Sequence, residues 1–217
     1  MTMPQTDPRP FNPLELHVIA SSVEREMLKR QKRPLAEFAG RGAPFAGYGI
    51  YAIYYNGAGC LYTELANTDV PIYVGKASVY ATRRGDAKAQ GLYARITKHR
   101  ASIGYAENLN IDEFRARYLV VEDAFVPMAE ALMIRKYRPV WNTAISGFGI
   151  NAPGQEGRGQ QQRSAWDTLH PGRPFAAQLP PNNLAPDMVA NMVTAHFATT
   201  VVVEPDSIAP IPDGQLE

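Results

Sequence analysis

The spacing of apolar positions divides the chain into alternating helical and extended segments. Leu14, Val18, Ile19, Val23, Met27 and Leu28 form one helical stripe over residues 14–33, and Pro34 ends it. Residues 47–55, GYGIYAIYY, are rich in tyrosine and isoleucine and predict a strand, with a turn at Asn56-Gly57 and Gly59. A second short strand, PIYVG at 71–75, opens on a proline. The insertion between them shows no period. Over 90–103, Leu92, Ile96, His99 and Ile103 recur at helical spacing. FRARYLVV at 114–121 alternates and then turns wholly apolar, as a strand does on entering a core. Residues 124–138 predict a helix rich in Ala, Met, Leu and Ile, stopped by Pro139. Residues 147–163 predict a long glycine- and glutamine-rich loop. The chain from Pro174 is Pro- and Asn-rich, with one helical stretch near 186–197 and a frayed end. The order strand, strand, helix, strand, helix predicts an α+β fold, a small antiparallel sheet of about three strands flanked by helices.

Composition narrows the class. The chain has 217 residues, 45% of them hydrophobic, which suits a globular core and excludes a disordered chain. Cys60 is the single cysteine, so an internal disulfide and a cysteine-based zinc site are excluded, and a reducing, cytoplasmic location is expected. The proline-bearing N-terminus has no apolar run and is no signal peptide. The long uncharged stretch from Ala43 to Thr63 is too rich in Tyr and Gly to span a membrane, so a soluble protein is expected. The net charge of +1 conceals an asymmetry. Residues 174–217 hold five acidic residues and no Lys or Arg, which leaves 22 basic against 16 acidic residues in 1–173. Between Arg83 and Arg100 there are six basic residues and one acidic, so a near-neutral total excludes nothing about a polyanionic partner.

Five groups of residues carry candidate chemistry, and each has a bland alternative. Tyr51 and Tyr73 sit on the two predicted strands, where a tyrosine is ordinarily half-buried packing; the neighbouring Gly49 and Gly75, the latter followed by Lys76, are less bland, because glycine lets backbone approach closely. Arg95 and His99 share a helix face and would repel unless an anion lay between them. Either Arg95 pairs with a carboxylate and His99 is a satisfied core histidine, or one phosphate explains both. Glu130 stands alone in the apolar run 129–134 and must be paired, neutral or metal-bound. Asn142, just past the helix stop, taken alone is a capping or turn residue. The cations Lys29, Arg30, Lys32 and Arg33 suit either a solvated helix end or phosphate contact.

Together and in order, GIY at 49–51, YVG at 73–75, Arg95 with His99, Glu130 on the third helix and Asn142 after it resemble the GIY-YIG nuclease superfamily. Trp141-Asn142-Thr143, Gly147-Phe148-Gly149, Pro153-Gly154, Trp166-Asp167 and His170-Pro171-Gly172-Arg173 extend the resemblance to one branch, the small homodimeric type II restriction endonucleases that cut the palindrome CCGCGG. It covers roughly residues 47–173. Tyr73 follows Tyr51 by 22 positions, a wide gap for the superfamily that is similar to this branch.

Beside a helical arm over 1–46 and a loop-rich extension with an acidic tail over 146–217, both expected from the residues themselves, the resemblance implies a catalytic core over 47–145 with an insertion at 56–70. It also implies hydrolysis of double-stranded DNA with one divalent cation, magnesium, held by Glu130. Arg95 would neutralise the scissile phosphate. Tyr51 would orient or deprotonate water with help from His99 or Lys76, since its ordinary pKa is about 10. Tyr73 would hydrogen-bond the phosphate or the nucleophile, and Asn142 would position backbone or metal-bound water. Arg83, Arg84, Arg158, Arg163 and Arg173 are candidate DNA contacts, because a GC-only site invites arginine in the major groove. A palindrome matches a homodimer, and a restriction role implies a protecting methyltransferase. The alternative is a DNA-binding module, or a repair or homing nuclease, on the same scaffold.

Overall fold

The computed structural model describes residues 16–39, 45–59, 61–78, 91–150 and 161–200. Among them four strands form one antiparallel sheet: β1 (Arg33–Pro34), β2 (Gly49–Tyr55), β3 (Tyr73–Ala77) and β4 (Phe114–Val120), in the spatial order β1–β4–β2–β3. The α+β reading holds, with one strand more than expected. β1 is a two-residue pairing of Arg33 with Ala116 and Pro34 with Arg115, too short to leave a period in the sequence. It also claims the end of the predicted first helix, so α1 spans Leu16–Leu28 and stops before the basic run. Three cations of that run have acidic partners: Lys29 on Glu26 at 2.6 Å, Lys32 on Asp69 at 2.6 Å and Arg33 on Glu37 at 3.3 Å. The run therefore lies beyond the helix and in ion pairs, unlike the solvated helix end of the first reading.

β2 lies at the centre and all seven of its residues are buried, so its tyrosines are core residues on both faces. Register sets Tyr51 opposite Gly75 and Tyr118, and Ile53 opposite Tyr73. Alternation then places Tyr51, Tyr73 and Gly75 on one face of the sheet and Lys76 on the other. Helix α2 (Leu92–Tyr105) covers the first face with its buried stripe of Leu92, Ile96, His99 and Ile103. Helix α3 (Val126–Tyr137) packs on the second face through Val126, Ala129, Met133 and Tyr137 and is clamped to α1, where buried Glu24 accepts hydrogen bonds from Lys136 and Tyr137.

The insertion is part of this body. Tyr62, Leu65 and Val70 are buried, and Asp69 receives both Lys32 and the buried Arg117, which lies over the Tyr54 ring. After α3 come α4 (Val140–Thr143), α5 (Ala165–Leu169), α6 (Pro174–Ala177) and α7 (Pro186–Thr199), so the C-terminal region is more helical than its composition predicts. Trp166, Leu169, Val189 and Val193 join the hydrophobic cluster built on β2. β3 is an edge strand. Its open side is covered, because Trp141 N–H donates to the Ile72 carbonyl at 3.1 Å and Asn142 pairs with Val74. Among the described residues no helix is long and apolar enough to cross a membrane. Cys60, the first fifteen residues and the acidic tail from 201 lie outside the described residues.

Candidate active site

The glycines of the two strand motifs answer to close contacts. Gly49 has φ +153°, and a Cβ there would run into the Leu119 carbonyl of β4. A Cβ at Gly75 would occupy the space of the Tyr51 hydroxyl. Glycine at 75 is therefore what admits the phenol to the face where α2 lies.

There the Tyr51 hydroxyl meets His99 Nε2 at 2.6 Å. Tyr73 lies alongside, its ring 5.0 Å from the His99 ring and 6.2 Å from the Tyr51 ring. Burial pushes the Tyr51 phenol well above its ordinary value; the neighbouring Tyr73 adds to this and the Arg95 charge opposes it. Tyr73 is pushed up to about 12 by burial and then by the Glu130 carboxylate. His99 goes the other way, down to about 3, through burial and then the charges of Arg95, Arg173 and Lys98. The site thus holds two protonated phenols against a neutral imidazole, with the Arg95 guanidinium close enough to bias all three. Tyr51 donates when the ring proton is on Nδ1.

Lys76 and Glu130 approach the same edge from the opposite face of the sheet. Lys76 Nζ lies 2.6 Å from Glu130 Oε2, and the Glu130 side chain keeps 19% of its surface exposed. Of the two candidate helpers for Tyr51, the structure places His99 on the hydroxyl and engages Lys76 with the carboxylate. The Glu130 charge still reaches round the edge, raising both tyrosines.

Asn142 does backbone work. Its Oδ1 accepts from Val74 N–H at 2.8 Å and its Nδ2 donates to the Val74 carbonyl at 2.9 Å, so it mimics a neighbouring strand between Tyr73 and Gly75. Of the two roles open to it, this is the positioning of backbone.

With this geometry stands a match of residues 43–197 to the family described as Eco29kI GIY-YIG domain. The match spans most of the chain. The chain belongs to the Eco29kI GIY-YIG family. It is a GIY-YIG nuclease of a restriction-endonuclease type, with DNA as its substrate. No curated protein matches the chain.

For this GIY-YIG domain the expected DNA-contacting arginines fare differently. Arg83, Arg84 and Arg158 lie outside the described residues. Arg163 Nε donates to the Ala176 carbonyl at 3.3 Å, and its own carbonyl accepts from Asn182, which ties it into the C-terminal region. Arg173 is a correction. It is 2% exposed, and each of its five N–H groups has a partner: Asp167 through Nε and Nη2, and the carbonyls of Gly147, Phe148 and Ile150 through Nη1 and Nη2. No donor remains for a base edge. A Gly/Gln-rich neighbourhood made this arginine look exposed.

Sequence reasoning gives Phe148 no role of its own, yet its ring stacks on His99 at 4.5 Å and 26° and meets Tyr73 edge-on at 4.9 Å. The signal was a large aromatic between two glycines. A Cβ at Gly149 would come within 2.6 Å of the Tyr73 hydroxyl.

Proposed function

We propose that this GIY-YIG nuclease is a type II restriction endonuclease that hydrolyses both strands of the palindrome CCGCGG as a homodimer, with one magnesium ion per active site. The observation that carries the chemistry is the Tyr51 hydroxyl set 2.6 Å from a neutral His99, beside Arg95, with Glu130 at the same sheet edge. The sequence specificity rests on the resemblance of residues 141–173 to the CCGCGG-cutting branch. A two-fold dimer then presents one site to each strand. A protecting methyltransferase belongs to the same proposal.

The donor set fits magnesium: one hard, partly exposed carboxylate suits an ion that keeps most of its waters. Glu130 would hold it, in competition with the Lys76 ammonium that neutralises the carboxylate here. When bound, magnesium supplies Lewis-acid stabilisation and a template for the scissile phosphate and the leaving 3′ oxygen. Tyr51 orients the attacking water and takes its proton while passing its own to His99 Nε2, a relay that suits a phenol whose ionisation is strongly disfavoured. Arg95 binds the phosphate and meets its growing charge. That phosphate also offsets the Arg95 charge that disfavours protonated His99, so the relay strengthens as DNA binds. Tyr73, kept protonated, donates to the phosphate or to the nucleophile.

A plasmid digest with magnesium tests this directly. Discrete fragments, all ending within CCGCGG, are the expected result. Binding without nicking would make the chain a DNA-binding module, and cleavage without a fixed sequence would place it with repair-type nucleases.

A further inference from the structure

The buried ion pair between Asp167 and Arg173 has no part in the chemistry described above, and its exposure is 3% and 2%. Replacing a buried pair by apolar packing is often neutral or stabilising, so stability alone is a weak account of it. What it does hold is a loop. Arg173 gathers the carbonyls of Gly147, Phe148 and Ile150, stacks on Trp166 at 4.7 Å, and is fixed by Asp167, which in turn binds Ser164 Oγ at 2.5 Å. Gly147 has φ +114°, and a Cβ there would strike the Ser164 side chain, so loop and α5 are fitted to each other. Trp166 N–H donates to the Ser146 carbonyl at 2.9 Å, a second tie at the same place.

The product of this anchoring is the placement of Phe148. Its ring, 1% exposed, stacks on the His99 imidazole and also touches Tyr73 and Trp141. We propose that Arg173 and Asp167 are positioning residues of the active site: they hold Phe148 as an aromatic plate on His99, and the plate keeps the imidazole dry and aligned with the Tyr51 hydroxyl. The proposal rests on the nuclease reading for its catalytic consequence. The groups facing His99 are Tyr51 from β2, Tyr73 from β3, Arg95 and Lys98 from α2, and Phe148 with Arg173 from the C-terminal region. Arg173 also acts through its charge, which disfavours protonation of His99.

The test uses the full chain, with Phe148→Leu and Phe148→Tyr as variants and Arg173→Lys as a third. Imidazole NMR reads His99 without DNA, and kinetics on a CCGCGG oligoduplex read kcat and KM. Phe148→Leu leaves the Arg173–carbonyl bonds in place, so the fold is retained. The expected result is that the His99 ring takes up a proton about one pH unit or more above the wild type. Its kcat falls about tenfold with KM little changed. Phe148→Tyr restores both, and Arg173→Lys moves both in the direction of Phe148→Leu. An unchanged His99 titration in Phe148→Leu overturns the proposal, and so does a shifted titration with wild-type kcat. A wild-type chain that cuts no duplex would contradict the nuclease reading instead, while the DNA-free titration would still decide whether Phe148 governs His99.

Discussion

Tyr51 meets His99 Nε2 at 2.6 Å, and Tyr62 meets His170 Nε2 at the same 2.6 Å. Both histidines are buried and both are pushed down to about 3, chiefly by burial. The pairs even share an aromatic path, His99 to Phe148 to Trp166 to His170, with ring centroids 4.5 Å and then 5.1 Å apart at each later step. Their surroundings differ. Asn108 Nδ2 donates to the Leu169 carbonyl, which turns its Oδ1 toward His170 Nδ1; that nitrogen must donate, so Nε2 must accept from Tyr62. One tautomer is pinned, and among the described residues the charge that biases the ring is that of Asp167. His99 instead faces Arg95, Lys98 and Arg173, next to a second phenol and near the partly exposed Glu130. A buried tyrosine–histidine pair is therefore no signature of catalysis in itself. Cations that disfavour a protonated ring, beside a reachable carboxylate, separate the working pair from the structural one.

Changing the carboxylates makes the sharpest contrast. Glu130→Ala is expected to fold, to bind duplex DNA and to lose cleavage by about a thousandfold or more, measured in single turnover and by gel shift. Asp167→Asn breaks the buried pair with Arg173 and is expected to cost about 3–5 kcal/mol in urea unfolding. Next come the phenols. Tyr51→Phe should lower the cleavage rate by about 10²–10⁴ with little change in Tm. Tyr62→Phe should cost about 1–2 kcal/mol of stability and leave the rate per folded molecule unchanged.

The smallest effect is shared by both pairs. Unfolded histidine binds a proton as pH falls through about 6.5, whereas the folded rings do so only near 3. Between those values the unfolded chain binds more protons, so stability declines as pH falls across that window and levels off below it. His170→Gln should flatten the decline without removing it, read from Tm against pH. A bound duplex should raise the titration of His99 and leave that of His170 in place.

The working pair was legible in sequence because its members lie in motifs with fixed order: GIY, YVG, Arg95 with His99, and Glu130. The partner of Tyr51 was not, because Lys76 and Gly75 are adjacent in sequence but fall on opposite faces of β3. The structural pair was invisible. Tyr62 lies in an aperiodic insertion that contributes isolated side chains to a core laid out elsewhere, and His170 is 108 residues away. Tertiary ion pairs misled in the same way. Lys32 finds Asp69 and Arg173 finds Asp167 with three loop carbonyls, so cations that suit DNA by composition are held inside the protein. β1 escaped notice because two residues carry no alternation.

The most direct measurement is the single-turnover rate of His99→Gln and His170→Gln, each on the same CCGCGG oligoduplex at saturating enzyme and magnesium. The prediction is a loss of about a hundredfold or more for His99→Gln and the wild-type rate for folded His170→Gln. Wild-type cutting by His99→Gln, or an equal loss in both variants, would contradict the assignment of the active site to Tyr51 and His99.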